Sequence, residues 1–194
     1  GNDSLSGFEN VFGGIGGDSL LGDAAANQLS GSDGADTLDG GAGNDNLSGG
    51  NDDDSLIGNE GDDTLNGGSG QDNLSGGNGD DSLDVSDWAG NTSQNFYAYG
   101  GSGDDTYTGR DVDKTNNTYD YFYGQDGEDT ITGGDADEYF DGGADEDTIS
   151  GGYGDDILLG GSDSDTITGG DGADTITGGE DADTLTGGAG QDIF

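Results

Sequence analysis

The 194-residue chain has no cysteine, no proline, no methionine and no histidine, and only two of its residues are basic. Without cysteine there is neither a disulfide framework nor a thiolate metal site, and redox chemistry says nothing about compartment. Without histidine or cysteine the usual acid–base and nucleophilic machinery is missing, so the chain is expected not to be an enzyme. No run approaches the roughly 18 apolar residues of a membrane-spanning helix, and no charged-then-apolar leader stands at its start. With 44 acidic residues and a formal charge of −42, it should be repelled by phosphate, which argues against a nucleic-acid partner. Only 26% of residues are hydrophobic, a composition that by itself points to disorder.

What the chain does have is a period of nine. Counted from Gly13, seventeen units fall in one frame, each opened by glycine and each with an aliphatic or aromatic residue in the eighth place, as in GGAGNDNLS at residues 40–48. The sixth place holds Asp18, Asp36, Asp45, Asp54, Asp63, Asp72, Asp81, Asp105, Asp129, Asp147, Asp156, Asp165, Asp174, Asp183 and Asp192. Only Asn27 and Glu138 depart from aspartate there. A solvated acidic face would not keep a carboxylate at one place of nine while its neighbours vary. Repeated at one point of a glycine turn with almost no base to neutralise it, the carboxylate asks for a cation. Oxygen donors without nitrogen or sulfur suit calcium better than zinc or copper. These fifteen aspartates are the expected metal ligands, with Asn27 and Glu138 at weaker sites. No segment has the terminal glutamate of an EF-hand loop, and the glycine pairs lack the strand–loop–helix setting of a phosphate cradle.

Each unit reads as a short β-prone strand, such as Thr166 to Thr168, after six turn-forming residues. One inward side chain per strand cannot bury an apolar face alone, so two strands must face each other and copies must stack. Glycine in the first place, and glycine or aspartate in the fourth, are expected to supply left-handed turn residues, with Ala25 and Ala136 the poorer fits in the fourth. The core is thin and the carboxylates repel one another, so a bound ligand has to contribute to folding.

This pattern resembles the repeats-in-toxin (RTX) nonapeptide, GGxGxDxUx, across nearly everything except residues 1–12 and two insertions. The resemblance implies an all-β fold: a right-handed parallel β-roll with two nonapeptides per coil and calcium ions in the turns, held by the sixth-place carboxylates and backbone carbonyls. It also implies secretion of an unfolded chain through a bacterial type I channel and folding outside the cell, in an extracellular or cell-surface setting. The chain is expected to be one array over 1–194, with a degenerate opening over 1–12, and a piece of a longer protein.

Two interruptions of the frame have the same length, Val85 to Tyr99 and Gly109 to Tyr123, separated by one ordinary unit. Each is expected to replace a nonapeptide on the same side of consecutive coils, here side A. That register lines up Tyr97, Tyr99, Tyr121, Tyr123 and Tyr139, followed by Ile157 and Leu159, as an outward stripe roughly 15 Å long at about 4.8 Å per coil. Such a stripe can be a partner surface, or the inserted loops can cover it. Trp88, Arg110 and Lys114 also fall in the insertions, and with the loops folded back the two bases would pair with nearby carboxylates. Phe96 takes the sixth place of the first and should remove a ligand, which Asp120 is expected to restore one coil later. Side B aligns Thr106, Thr108, Thr130, Thr132, Thr148, Ser150, Thr166, Thr168, Thr184 and Thr186.

Three functions compete. The first is a calcium-stiffened extracellular structural or adhesive segment, with like chains, other surface proteins or polysaccharide as partners of the tyrosine stripe. The second is the calcium-binding module of a secreted protease, lipase or epimerase whose catalytic domain lies elsewhere. The third is an ice-binding surface on the threonine grid.

Overall fold

In the computed structural model, which describes residues 4–6, 9–86, 95–110 and 119–194, the nonapeptides stack into two ten-stranded parallel sheets. Successive strands alternate between the sheets, giving a solenoid of about 9 turns with no helix among the described residues. This is the expected roll with two units per coil. Pairing advances by eighteen residues along ordinary coils: Leu38 lies beside Leu56, and Leu47 beside Leu65. Sheet A carries the units begun at Gly13, Gly31 and Gly49, and sheet B those between them.

Strand geometry follows from the alternation of the last four places. In Ser55–Glu60 the eighth-place Leu56 is buried while its neighbours are not. Leu20, Leu38, Leu56 and Leu74 of sheet A and Leu29, Leu47, Leu65 and Leu83 of sheet B are each at most 1% exposed. They form one continuous core along the roll axis. Farther along, aromatic residues take the same places, where Tyr107 stacks on Phe122 with centroids 4.7 Å apart and meets the edge of Phe140 at 5.6 Å.

Both insertions enter sheet A as expected. Tyr97 pairs with Asn73 on one side and Tyr121 on the other, steps of 24 residues, and Tyr121 pairs with Tyr139 at the ordinary eighteen, so the register survives. Tyr97, Tyr99, Tyr121, Tyr123 and Tyr139 are half-buried, with their rings against one another. Centroids are 4.9 Å apart for Tyr97 and Tyr121, 5.3 Å for Tyr99 and Tyr123, and 5.5 Å for Tyr121 and Tyr139. Asp141 follows Tyr123 in its file, ahead of Leu159, so only the file through Tyr97, Tyr121, Tyr139 and Ile157 runs without a charge. On sheet B, Thr106, Thr130, Thr148, Thr166 and Thr184 stand in one file, and Thr108, Thr132, Ser150, Thr168 and Thr186 in the next. Trp88 and Lys114 lie outside the described residues.

The turns correct one expectation. Positive φ belongs to the second and fourth places, not the first: Gly50 and Asp52 of one unit have φ of 121° and 74°. Aspartate does substitute for glycine in the fourth place, at Asp52, Asp145, Asp163 and Asp181, whereas Ala25 and Ala136 avoid the left-handed region. Glycine in the first place serves space, not torsion, as its contacts make plain.

Candidate metal centres in the turns

Each sixth-place aspartate sits where the turn enters the strand and points inward. Asp36, Asp45, Asp54, Asp63, Asp72, Asp81, Asp105, Asp129, Asp147, Asp156, Asp165 and Asp174 are buried, as is Asp18, while Asp183 and Asp192 in the final coils are half-buried. The two carboxylate oxygens do different work. Oδ1 accepts the backbone N–H of the sixth-place residue one coil earlier: Asp36 from Asp18 at 2.6 Å, Asp54 from Asp36 at 2.8 Å, Asp72 from Asp54 at 2.9 Å. On sheet B this ladder is unbroken from Asn27, through Asp45, Asp63, Asp81, Asp105, Asp129, Asp147 and Asp165, to Asp183.

Oδ2 has no hydrogen-bond partner in Asp36, Asp45, Asp54, Asp63, Asp72, Asp81, Asp105, Asp129, Asp147 and Asp165, although it is buried. A buried, unsatisfied carboxylate oxygen carries a large desolvation cost. The same oxygens border the empty side of the first-place glycines. A methyl group on Gly58 would overlap Oδ2 of Asp63 and lie 2.6 Å from the carbonyl oxygen of Gly76, one coil on. Gly49 repeats this with Asp54 and Gly67, and Gly151 with Asp156 and Gly169. A carboxylate oxygen of one coil and a carbonyl oxygen of the next thus converge on a space that any Cβ would fill.

Burial is the largest influence on these carboxyls. It pushes Asp54, Asp81, Asp105 and Asp129 up to about 7 and Asp147 to about 8, against the downward pull of the N–H that each accepts. Neighbouring carboxylates of the same row push the same way, as Asp72 and Asp36 do on Asp54. A cation between the coils would remove both penalties. Among the described residues no three His, Cys, Asp or Glu side chains come together as a cage, so an ion here needs backbone carbonyls to complete its shell. Calcium, with six to eight oxygen ligands in flexible geometry, accepts that arrangement.

The two units that lack the sixth-place aspartate have remodelled turns. Asn27 Oδ1 accepts the N–H of Asp23 at 2.8 Å, and Glu138 Oε1 that of Gly134 at 3.3 Å, so both side chains fold back on their own turn. Neither turn has positive φ at its second or fourth place. Burial, and then the charge of Asp156, push the Glu138 carboxyl up to about 11.

At Asp120, expected to restore a ligand one coil after Phe96, the carboxylate is already engaged by a base. Arg110 forks it, with Nε donating to Oδ2 at 2.9 Å and Nη2 to Oδ1. Pairing of Arg110 with a nearby carboxylate is one of the two expectations for the insertions, and the structure supplies the partner, Asp120; a base in the second place of a repeat, where glycine is usual, marks the spot in the sequence. The role of Oδ1 in bridging coils had no signal, because it depends on which backbone N–H the stacking brings near.

A family model for the RTX calcium-binding nonapeptide repeat matches residues 12–47, 48–83, 97–112, 116–149, 132–167 and 159–194. No curated protein matches the chain. No helix among the described residues is long and apolar enough to cross a membrane. From the repeats through the roll to the matched model, the chain belongs to the family of RTX calcium-binding nonapeptide repeats.

Proposed function

We propose that this calcium-binding repeat module is a structural or adhesive segment that works outside the cell, flexible when metal-free and stiff when loaded. The observation that carries this reading is the convergence of an unsatisfied buried Oδ2 and the next coil's carbonyl on the first-place glycine, as at Gly49, Gly58, Gly100, Gly124, Gly142 and Gly160. Asp18, Asp36, Asp45, Asp54, Asp63, Asp72, Asp81, Asp105, Asp129, Asp147, Asp156, Asp165, Asp174, Asp183 and Asp192 are the proposed side-chain ligands, joined by those carbonyls. Extracellular calcium modules have dissociation constants of about 0.1 to 1 mM, which suits a chain that leaves the cell unfolded and orders where calcium is abundant. Binding free energy then becomes folding free energy.

The tyrosine files of sheet A are the proposed assembly or partner face, since half-buried rings in register offer an apolar strip on an otherwise acidic molecule. The module has no catalysis of its own in this reading; any turnover belongs to other parts of a longer protein. Circular dichroism during a calcium titration tests the proposal. A disordered spectrum in chelator that converts to β structure at millimolar calcium supports it, and a β spectrum unchanged by chelator refutes it.

The exposed threonine files of sheet B, aligned over five coils, favour a second reading, ice binding. Thermal hysteresis of the calcium-loaded chain checks it, and its absence together with unshaped ice crystals would end it.

A further inference from the structure

The turn row of sheet A changes character where the two insertions enter. In the first of them Val85 and Phe96 replace the first-place glycine and the sixth-place aspartate, and both are 1% exposed. The space that elsewhere lies open between a glycine and a carboxylate is therefore flanked by hydrocarbon. One coil on, Gly109 and Asp120 restore the two residue types, yet no carboxylate oxygen is among the nearest neighbours of the Gly109 cradle; a Cβ there would meet backbone atoms of residues 132 and 133 at 3.2 to 3.4 Å.

The reason is Arg110. Its side chain is buried, its guanidinium forks both oxygens of Asp120, and it lies over the Phe96 ring at 5.9 Å from the centroid. Arg110 also anchors the backbone of the next turn, where its carbonyl accepts the N–H of Asp135 at 3.0 Å. Asp120 itself is 0% exposed, so this is a fully buried ion pair with no solvent to replace either partner. A buried charge pair of this kind persists only where its geometry is good and its hydrogen bonds are made. The bidentate fork meets that condition on the Asp120 side.

We infer that Arg110 is a cation built into the protein at a position of the turn row where other coils await calcium. This rests on the proposal that calcium occupies the turns. The row of sheet A is thereby divided into one calcium-binding stretch ending at Asp72 and another beginning at Asp156, past the remodelled turn of Glu138. Between them the coils of Phe96 and Asp120 are held by hydrocarbon, by the Arg110 guanidinium and by the aromatic core of Tyr107, Phe122 and Phe140. Sheet B carries no such interruption, and its ladder passes the same coils through Asp81, Asp105 and Asp129.

The inference is tested by equilibrium dialysis against saturating calcium, with wild type, Arg110→Gly, and the double variant Arg110→Gly with Asp120→Asn. Arg110→Gly recreates the glycine pair that opens most units and leaves Asp120 without its guanidinium. It is expected to bind more calcium per chain than wild type, and the double variant to fall back to the wild-type value. Arg110→Gly binding no more than wild type would overturn the inference. Because Arg110 is the chain's one arginine, its Nε–H gives a single assignable signal in a nitrogen-correlated spectrum of the wild-type protein, which needs no variant to fold. That proton should stay protected from exchange at saturating calcium, and rapid exchange would mean that the metal displaces the guanidinium. If wild type bound no calcium at all, the calcium reading would fail instead, a result distinct from either.

Discussion

The first-place glycine and the sixth-place aspartate form one device, because the missing Cβ of the first is the space into which the second turns its free oxygen. Two substitutions separate space from charge. Gly58→Ala puts a methyl group against Oδ2 of Asp63 and the Gly76 carbonyl while keeping the carboxylate that accepts the Asp45 N–H. Its stability loss should be larger in calcium, where loss of the ion's space adds to the steric overlap. Asp63→Ala also leaves the buried Asp45 N–H without its acceptor, which costs about 1–3 kcal/mol beyond the lost ion. Calorimetric unfolding with and without calcium checks both. The pH dependence has a definite sign. Burial raises the carboxyls of Asp54, Asp81, Asp105 and Asp129 from 3.8 to about 7 in the folded chain, so in the absence of metal the fold favours their protonated form. The penalty for charge is absent at low pH, grows as pH rises above 3.8 and is complete above about 7. Metal-free protein should therefore be more compact at pH 5 than at pH 8 by small-angle scattering, while calcium affinity falls over the same descent because protons compete for the ligands.

At the scale of the strand and coil, equal spacing carried most of the information. Two 15-residue interruptions on either side of one ordinary unit can keep a two-unit coil in step only by replacing units on the same side, and the pairing of Tyr97 with Tyr121 and Tyr139 follows. The period of nine likewise fixes which apolar residues are buried, since the eighth place faces the core on every strand. What it does not carry is how side chains share work across coils. Nothing in the repeat tells that Oδ1 is committed to an N–H one coil earlier, or that Arg110 reaches Asp120, because both depend on three-dimensional approach. The second-place torsion is not legible in the sequence for a related reason: Ser32, Asn59 and Gln125 occupy left-handed positions with φ of 89°, 81° and 86°, where the turn, not the residue type, sets the conformation. The tyrosine files give an element-level prediction. Tyr121→Ala removes contacts to both Tyr97 and Tyr139 and should destabilise the loaded roll by about 0.5–1.5 kcal/mol per lost pair beyond area burial. If the files are an assembly face, the same variant also lowers the sedimentation coefficient of any oligomer.

For the whole molecule, the decisive quantity is a charge of −42 set against a core one side chain thick per strand. Each coil touches only its neighbours, so stability is a sum of local terms and the roll can fray from a destabilised coil outward. Leu65→Ala, in the middle of the leucine core, should cost about 2–5 kcal/mol in calcium, and amide exchange should rise first in the coils beside it. Calcium enters the same sum at every turn it occupies, cancelling repulsion between stacked carboxylates and joining one coil to the next. The most direct measurement is an anomalous-scattering map from crystals of the calcium-loaded chain. Peaks between sixth-place Asp Oδ2 atoms and the first-place carbonyls of the following coils, in two rows along the edges of the roll with that of sheet A interrupted at Phe96 and Asp120, are the expected result. A roll of the same form with those turns empty of metal would contradict it.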